Sequence, residues 1–240
     1  MDITDKLHLT NEDNMALMAR YPDKYFDLAI VDPPYGINVA KMAYTQEDNR
    51  PCKQKNGTTL TVKKKKYKHG DWDKDPACID YLIELKRISK HQIIWGINYM
   101  DFHLKGGRLI WNKLVPEGVS FSDCEIAYCS KHDTVRLFRY MWNGMMQGKS
   151  ISEGHIMQGN KKLNEKKIHP TQKPVNLYKW LLREYANEGD NILDTHVGSG
   201  SSRLASFDLG FEFTGFELNS IHWQRQEFRF KNHIAQQRLF

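Results

Sequence analysis

The sequence predicts an α/β fold in which a mainly parallel sheet carries helices on both faces. Short apolar runs alternate with amphipathic stretches along most of the 240 residues, and this alternation is typical of βαβ units. Two apolar runs end in chain breakers, because FDLAIV is followed by two prolines and DNILD by a glycine-rich turn. Both runs therefore predict strands that open into loops at their carboxyl ends.

The elements of the first half are predicted from caps and apolar runs. HLTNEDNMALMARY predicts a helix with Thr10 or Asn11 as its N-cap, and FDLAIV predicts a buried strand. Residues 38–75 are polar and rich in lysine, which predicts a basic insertion or mobile loop. PACIDYLIELKRIS predicts a helix with Pro76 in its first turn. The strands predicted after it are HQIIWG, GGRLIWNK, DCEIAYCS and TVRLFRYMW.

The second half begins with a glycine- and lysine-rich stretch, residues 143–168, which predicts a loop. PVNLYKWLLREYAN then predicts an amphipathic helix, and the rest of the chain predicts, in order, a strand (DNILD), a helix (SSRLASFDLG), a strand (FEFTGFE) and a C-terminal helix (NSIHWQRQEFRFKNHI). No internal repeat is visible. The length fits one large domain, so residues 1–240 are predicted to form a single domain.

Composition narrows the class of protein. Hydrophobic residues make up 40% and charged residues 27%, as in ordinary globular chains. The net charge of +6 and the pI of about 9.0 favour a polyanionic partner. The sequence has no long apolar run, so we expect no membrane span. Its N-terminus is polar, so we expect no signal peptide. The four cysteines and ten histidines lack metal-ligand spacing, so we expect reduced thiols, no metal and a cytoplasmic protein.

The stretch IVDPPYG places Asp32 directly after the predicted strand FDLAIV. In open α/β sheets the carboxyl ends of strands are where ligands bind. Asp32 is therefore a candidate site residue, although on these residues alone a strand followed by a rigid turn explains the stretch equally well.

A second motif, ILDTHVGSGSS at residues 192–202, leads from a strand through glycines into a helix. Gly198 and Gly200 allow close approach of a ligand to the backbone, and a helix N-terminus favours an anionic group. The third glycine of a dinucleotide fingerprint is missing, because Ser201, Ser202 and Arg203 follow Gly200.

Glu217 ends the next predicted strand, roughly 20 residues after Asp194, which is the placement of an acid that holds a ribose diol. The alternative is that Asp194 caps a helix and that Glu217 is a solvated strand end.

Together these motifs resemble those of the S-adenosylmethionine-dependent DNA amino-methyltransferases. The signature tetrapeptide of that family is [DNS]-P-P-[YFW], which the stretch Asp32-Pro33-Pro34-Tyr35 matches fully. The family's glycine motif is commonly D-P-F-x-G-S-G-T. Here the acid, both glycines and the serine between them are kept, whereas Thr195, His196 and Ser201 depart from it.

A third match is IHPTQKPVNLYKWLL at residues 168–182, which resembles the family's segment in contact with the methionine part of the cofactor. Taken without the family, it is a loop that leads into a helix. The stretches GDWD, IIWGINYM, RLIWNK and SDCEIAY are weaker echoes of the same family.

The order of the motifs, with the tetrapeptide before the glycine loop, is called the β class. The resemblance implies a Rossmann-like, mainly parallel seven-stranded sheet that has one antiparallel hairpin and is circularly permuted relative to other methyltransferases. It also implies S-adenosyl-L-methionine as cofactor and double-stranded DNA as partner, with no metal and no membrane. Dimers are common in this class, so a homodimer is an expectation.

The resemblance also implies the roles of individual residues. The implied catalytic residues are Asp32, Pro33, Pro34 and Tyr35. The implied cofactor-binding residues are Asp32, His169, Thr171, Gln172, Lys173, Asp194, Thr195, His196, Gly198, Ser199, Gly200, Ser201, Glu217, Leu218 and Asn219. Of these, Lys173 is a candidate partner for the cofactor's carboxylate.

The implied reaction methylates N6 of adenine in a flipped-out base. The carboxylate of Asp32 and the carbonyl of Pro33 would accept hydrogen bonds from the N–H groups of the amine and so orient its lone pair toward the methyl group. Tyr35 offers a stacking face for that base. DNA contact is expected from Lys63, Lys64, Lys65 and Lys66 and from a target-recognition segment at residues 131–168; a solvated loop is the alternative for the four lysines.

Three other functions stay open at this point. The first is an N4-cytosine methyltransferase of the same fold, whose tetrapeptide more often begins with serine. The second is a nicotinamide-dependent oxidoreductase, and the third is a non-catalytic DNA-binding protein that keeps the fold. The favoured function is a restriction-modification or orphan adenine methyltransferase in a bacterial or phage-infected cell.

Overall fold

The computed structural model describes residues 3–39, 50–53, 57–62, 73–118 and 122–237. These residues form the strands β1 (Leu7–Thr10), β2 (Phe26–Val31), β3 (Arg50–Lys53), β4 (Thr59–Val62), β5 (Ser89–Trp95), β6 (Gly107–Asn112), β7 (Cys124–Cys129), β8 (Val135–Arg139), β9 (Trp142–Asn143), β10 (Met146–Gln147), β11 (Asn191–Asp194) and β12 (Glu212–Phe216). Their α-helices are α1 (Asn14–Met18), α2 (Ile79–Ile88), α3 (Val175–Tyr185), α4 (Ser201–Leu209) and α5 (Ser220–Gln237).

Eight of these strands form one sheet in the order β1-β12-β11-β2-β5-β7-β6-β8. All neighbours are parallel except at β7, which runs antiparallel to both β5 and β6. The predicted α/β class and the mainly parallel sheet are thereby confirmed. The sheet has eight strands, however, whereas seven were expected.

The additional strand is β1, which overlaps the start of the stretch that the sequence predicted as a helix. Leu7 pairs with Phe213 and Thr10 with Phe216, in parallel register with β12. The helix begins only at Asn14, because the carboxylate of Asp13 accepts hydrogen bonds from the backbone of the first turn at 3.0 Å. The predicted N-cap at Thr10 or Asn11 was therefore wrong.

Helices cover both faces of the sheet. On one face, α1 and α2 pack their apolar side chains against Phe26, Ala29 and Val31 of β2. On the other face, α3, α4 and α5 pack against Leu28 and Ile30 of the same strand. The central strand is thus buried on both sides, as its continuous apolar run predicts.

Most of the remaining helices begin and end close to their predicted positions. Helix α2 begins at Ile79, three residues after Pro76. Helix α4 is bounded by Gly200 and Gly210, both in the left-handed region with φ of 77° and 80°. Residues 143–168 are largely loop, as predicted, with the short antiparallel hairpin β9–β10 and a 3-10 turn at Lys161–Leu163.

The predicted basic insertion at residues 38–75 lies mostly outside the described residues, including Lys63, Lys64, Lys65 and Lys66. The described part of it contains the antiparallel hairpin β3–β4. No helix within the described ranges is long and apolar enough to cross a membrane.

Candidate active site

The loops that follow β2, β11 and β12 meet at the carboxyl edge of the sheet and line a cavity of about 1190 Å³. Asp32 comes directly after β2, and Glu217 comes directly after β12. A pocket for one small ligand has a volume of roughly 300–1,000 Å³. This cavity is therefore large enough for two ligand groups side by side.

Most of the predicted site residues form the wall of this cavity. They are Asp32, Pro33, Pro34, Tyr35, His169, Thr171, Gln172, Lys173, Thr195, His196, Gly198, Ser199, Glu217, Leu218 and Asn219. Asp194, Gly200 and Ser201 are not among the residues that line the cavity.

The turn of the D-P-P-Y tetrapeptide is fixed by the carboxylate of Asp73. Its Oδ1 accepts hydrogen bonds from the backbone amides of Tyr35 (2.8 Å) and Gly36 (3.1 Å), and its Oδ2 accepts one from Val39 (2.9 Å). Asp73 is only 3% exposed. Because prolines donate no hydrogen bond, the turn depends on this distant carboxylate to satisfy the amides that follow them.

The carboxylate of Asp32 is held on both oxygens. The hydroxyl of Tyr35 donates a hydrogen bond of 2.6 Å to Oδ1, and the ammonium of Lys173 lies 2.5 Å from Oδ2. Lys173 Nζ also donates to the hydroxyl of Tyr35 at 3.0 Å. These three side chains form a closed polar cluster at the end of β2.

A second carboxylate, that of Glu125 on β7, shares the same ammonium. Its Oε2 lies 3.0 Å from Lys173 Nζ, and its Oε1 lies 3.4 Å from Lys113 Nζ. Burial disfavours the ammonium, but Asp32 and Glu125 outweigh it and raise the pKa of Lys173. Lys173 thus balances two carboxylates, which the predicted role as partner of the cofactor's carboxylate did not anticipate.

The two carboxylates respond differently to this environment. Burial raises the pKa of Asp32, which Lys173 only partly counteracts, while the negative charge of Glu125 raises it further. Burial acts in the same direction on Glu125, but Lys173 and Lys113 together lower its pKa. The cluster therefore shifts the pKa values of the two acids in opposite directions.

The ring of Tyr35 belongs to a stacked aromatic pair on the cavity wall. Its centroid lies 5.0 Å from that of Tyr99, with an interplanar angle of 15°. Gly96, which has a φ of 71°, makes room for the ring, since a Cβ at this position would lie 2.0 Å from it. Tyr99 is 38% exposed and is the more accessible member of the pair.

Asp194 holds the glycine loop from behind. Its Oδ2 accepts a hydrogen bond from Ser202 Oγ at 2.5 Å, and its Oδ1 accepts one from the backbone amide of His196 at 2.9 Å. Burial raises the pKa of Asp194 to about 7, and both hydrogen bonds oppose that rise. The acid thereby fixes the loop to α4.

Glu217 also orders the loop, but from the cavity side. Its Oε2 accepts a hydrogen bond from the amide of Gly198 and its Oε1 one from the amide of Asn219, each at 2.8 Å. Burial raises the pKa of Glu217 against these two bonds. The remaining lone pairs of the carboxylate can accept hydrogen bonds from a ligand.

Two residues that depart from the common glycine motif, Thr195 and His196, belong to one polar network. The amide of Asn14 donates to His196 Nε2 at 3.0 Å, which leaves the ring proton on Nδ1 to donate to Thr195 Oγ1 at 3.0 Å. Thr195 and Tyr81 share a further hydrogen bond of 2.6 Å. Burial lowers the pKa of His196 to about 4, so the ring is neutral near pH 7.

The segment at residues 168–174 is braced from several sides. The backbone carbonyl of Gln172 accepts a hydrogen bond from the indole of Trp142 at 2.8 Å, and its side chain donates to Glu165 at 2.7 Å. Ser201 Oγ donates to the carbonyl of Lys173 at 2.7 Å. Ser201 therefore joins the glycine loop to the lysine that contacts Asp32.

The candidate recognition segment, residues 131–168, borders the same cavity through Trp142, Asn143 and Gly144 of the β9–β10 hairpin. Its outer surface carries exposed apolar side chains, of which Met145 (73%) and Leu163 (68%) are the most exposed. The exposed lysines of this segment are Lys149, Lys161, Lys162 and Lys166.

Motif reasoning did not assign roles to Glu125, Asp73, Gly96 and Tyr99. All four lie in stretches that weakly resembled the family, namely SDCEIAY, GDWD and IIWGINYM. Their partners are distant in sequence, since Asp73 contacts a residue 38 positions away. Those stretches were the available signal.

Comparisons with known proteins identify the family. The sequence model of the DNA methylase family matches residues 94–226, more than half of the chain. The type II methyltransferase M.HinfI of Haemophilus influenzae is 26% identical over 82% of this chain and 60% of its own length. M2.DpnII of Streptococcus pneumoniae is 23% identical over 89% of this chain and 85% of its own length. The chain thus spans about 60% of the length of M.HinfI.

Solved structures share the fold. The crystal structure of the M1.HpyAVI–SAM complex is 18% identical and has a TM-score of 0.53, over 93% of this chain and 99% of its own. The PvuII DNA methyltransferase, described as cytosine-N4-specific, is 14% identical and also has a TM-score of 0.53, over 92% and 85% of the two chains.

The family match covers β7, Lys113, Lys173, the glycine loop and Glu217, while the tetrapeptide at residues 32–35 precedes it. The fold brings that tetrapeptide to the wall of the same cavity. The chain belongs to the DNA methylase family, the S-adenosylmethionine-dependent amino-methyltransferases of N6 of adenine and N4 of cytosine.

Proposed function

We propose that this protein transfers a methyl group from S-adenosylmethionine to N6 of adenine in a flipped-out base of double-stranded DNA. The observation that carries the proposal is the carboxylate of Asp32. It lies at a strand end on the wall of a large cavity, held by Tyr35 and Lys173, and the glycine loop lines the same cavity.

The residues around the glycine loop fit the proposed cofactor. Gly198 has a φ of 53°, and a Cβ there would meet only the carbonyl of His196 at 3.8 Å, so the loop leaves space beside it. Glu217 has lone pairs for a ribose diol. We assign cofactor binding to these residues and to Thr195, His196, Ser199, Leu218, Asn219, His169, Thr171 and Gln172 of the wall, with Asp194, Gly200 and Ser201 as supports behind it.

Asp32 has the central role in the proposed mechanism. When bound, S-adenosylmethionine supplies an electrophilic methyl group on a sulfonium. The exocyclic amine of adenine is a poor nucleophile because its lone pair is conjugated with the ring. The carboxylate of Asp32 and the carbonyl of Pro33 each accept a hydrogen bond from one of its N–H groups, which directs the lone pair and stabilises positive charge as it develops. The C–S bond breaks as the C–N bond forms, and the methylated amine then releases one of its two protons.

The rigid tetrapeptide keeps these acceptors in place. Pro33 and Pro34 restrict the backbone, and Asp73 fixes the amides that follow. The stacked pair of Tyr35 and Tyr99 provides an aromatic surface for the flipped-out base. Stacking there offsets part of the cost of removing the base from the duplex.

Two basic segments are proposed to hold the DNA. One is the recognition segment at residues 131–168, which reaches the cavity through its β9–β10 hairpin. The other is the run Lys63, Lys64, Lys65 and Lys66, outside the described residues. Contacts between lysines and phosphates give affinity that falls steeply with salt.

Adenine is favoured over cytosine by the aspartate that begins the tetrapeptide, since N4-cytosine relatives more often carry serine there. The fold itself does not discriminate, because the PvuII enzyme described as cytosine-N4-specific shares it. N4 of cytosine is therefore the second candidate target.

The test is to incubate purified protein with unmethylated DNA and S-adenosylmethionine, digest the DNA to nucleosides and identify the products by mass spectrometry. N6-methyladenine is the expected product. N4-methylcytosine would overturn the choice of base and keep the mechanism. A protein that binds the cofactor and DNA but forms no methylated nucleoside would contradict the proposal.

A further inference from the structure

We propose that Glu125 is a positioning residue, which shares the Lys173 ammonium with Asp32 and thereby sets the pH range in which Asp32 is ionised. This inference rests on the proposed function, in which Asp32 acts on the reacting amine. It adds a residue on a different strand, 93 positions along the chain from Asp32, to the machinery of the site.

The argument begins with the position of one buried ammonium between two carboxylates. Lys173 Nζ lies 2.5 Å from Asp32 Oδ2 and 3.0 Å from Glu125 Oε2. The side chain of Lys173 is only 4% exposed, so water screens these contacts weakly. A single cation cannot neutralise both acids fully, so the two carboxylates compete for it.

Lys113 completes the charge balance of the cluster. Its ammonium lies 3.4 Å from the other oxygen of Glu125, with 14% of its side chain exposed. Two acids and two cations therefore meet between β2, β6, β7 and the residues before α3. Glu125 lies between the two lysines and contacts both.

Other titratable groups also act on Asp32, and they come from every element around it. Besides Lys173 and Glu125, they are Tyr35, Tyr81, Tyr178 and Asp194. The tyrosines stay protonated, because burial raises the pKa of each of the three. Asp194 accepts a hydrogen bond from Ser202, and its carboxylate acts on Asp32 as a like charge.

The direction of the effect follows from electrostatics. Removing the charge of Glu125 takes away a like charge from Asp32 and leaves Lys173 with one acid instead of two. Both changes favour the ionised form of Asp32. Removing Lys173 has the opposite effect, since a buried carboxylate loses its counter-ion.

The experiment measures kcat/KM for methyl transfer as a function of pH in the full chain and in Glu125→Gln. The acidic limb of this profile reports the ionisation of free enzyme, here of the coupled Asp32–Glu125 pair. We expect the limb to move to lower pH in Glu125→Gln and to higher pH in Lys173→Met. An exposed glutamate on α3 gives the matched control, Glu184→Gln, whose limb should stay in place.

A second variant protects the test against misfolding. Glu125→Gln leaves Lys113 without its acid partner, so the double variant Lys113→Met, Glu125→Gln restores the charge balance of the cluster. The double variant should show the same shift to lower pH, because Lys173 still faces Asp32 alone. Thermal melting of each variant with bound cofactor checks that the fold is kept.

The outcomes separate this inference from the proposed function. If the unmodified chain methylates DNA and the acidic limb is unmoved both in Glu125→Gln and in the double variant Lys113→Met, Glu125→Gln, Glu125 has only a structural role and the inference is wrong. If the unmodified chain methylates no base at all while cofactor and DNA bind, the proposed function itself is wrong.

Discussion

Two regions border the same cavity but differ in the exposure of their side chains. The first, the centre, consists of Asp73 and the loops after β2, β11 and β12 at the carboxyl edge of the sheet. The second is the proposed recognition segment at residues 131–168. In the centre, Asp73, Asp194 and Glu217 are at most 9% exposed, and each carboxylate accepts hydrogen bonds from backbone amides. In the segment, Met145 and Leu163 are 73% and 68% exposed.

This difference matches two different tasks. Acting on a reacting amine requires acceptors that are already in position, so their own partners must be fixed by the fold. The proposed contact with a polyanion requires accessible charge, and Lys161 and Lys162 are exposed. Variants of the centre should therefore act on turnover, and variants of the segment on DNA affinity.

Among variants of residues that hold the centre in place, Gly96→Ala is expected to have the largest effect on kcat. The new Cβ would lie 2.0 Å from the ring of Tyr35, at a φ of 71° that L residues rarely adopt. Displacing that ring also displaces the hydroxyl that binds Asp32. We expect kcat to fall by about 100-fold, since misplacing reacting groups by about 1 Å has effects of that order.

The measurement is steady-state methyl transfer to DNA, with cofactor affinity measured by calorimetry. Gly118→Ala is the matched control, because Gly118 also has a positive φ (78°) but no neighbouring atom within 4 Å of the new Cβ. Equal kcat in Gly96→Ala and in the unmodified chain would show that the position of Tyr35 does not matter.

The second largest effect is expected when the hydrogen bonds that hold the D-P-P-Y turn are removed. Asp73→Ala removes the acceptor of three backbone amides, those of Tyr35, Gly36 and Val39. We expect a loss of about 1–3 kcal/mol in the free energy of unfolding, as for buried donors left unsatisfied, together with a lower kcat. Urea unfolding followed by circular dichroism measures the first quantity. A variant with unchanged stability and turnover would show that the turn holds without Asp73.

A smaller effect is expected from the recognition segment. Lys161→Ala, Lys162→Ala removes two exposed charges. If both contact phosphates, the slope of log affinity against log salt should decrease by about 2, at roughly 0.9 per phosphate contact. Fluorescence anisotropy with labelled DNA at several salt concentrations measures that slope, and kcat at saturating DNA should be unchanged.

The same titration compares the two basic segments. Replacing Lys63, Lys64, Lys65 and Lys66 by alanine should also flatten the salt dependence. If that variant keeps the original slope while the Lys161, Lys162 variant loses part of it, the four lysines form a solvated loop and the recognition segment alone holds the DNA.

The smallest expected effect is the pH dependence of stability at His196. Its pKa is lowered to about 4 from an ordinary 6.5, so between these values the unfolded chain binds the proton more strongly. Stability is therefore lost as pH falls through this window. In His196→Phe, the drop in melting temperature from pH 7 to pH 5 should be smaller, as differential scanning calorimetry can measure. His222 keeps part of the drop, since its pKa is also lowered to about 4. An identical drop in both proteins would rule out this role for His196.

The sequence predicted the part of the centre that depends on local pattern. Asp32 follows an apolar run that stops at two prolines, Glu217 ends the predicted strand FEFTGFE, and α4 is bounded by glycines. These strand ends and helix ends are visible in the residues themselves. The pairing of β1 with β12 was missed because LHLT is short and its partner strand lies about 200 residues away.

The charge cluster was missed for a related reason. Glu125 lies on β7, Lys113 follows β6 and Lys173 precedes α3, and the position of β7 between β5 and β6 in the sheet brings them together. The spacing of these residues along the chain does not predict such a contact. Lys173 was selected through the family motif, but its pairing with Asp32 required the folded structure.

The most direct test of the central claim is a single-turnover measurement of methyl transfer by the unmodified chain and by Asp32→Ala, with cofactor and DNA both saturating. Alanine is preferred to asparagine because the tetrapeptide pattern of the family admits asparagine. Asp101→Ala, an exposed position outside the cavity wall, is the control. We predict that Asp32→Ala loses transfer by at least about 1,000-fold while it keeps its fold, as circular dichroism checks. Near-normal transfer in that variant would contradict the account.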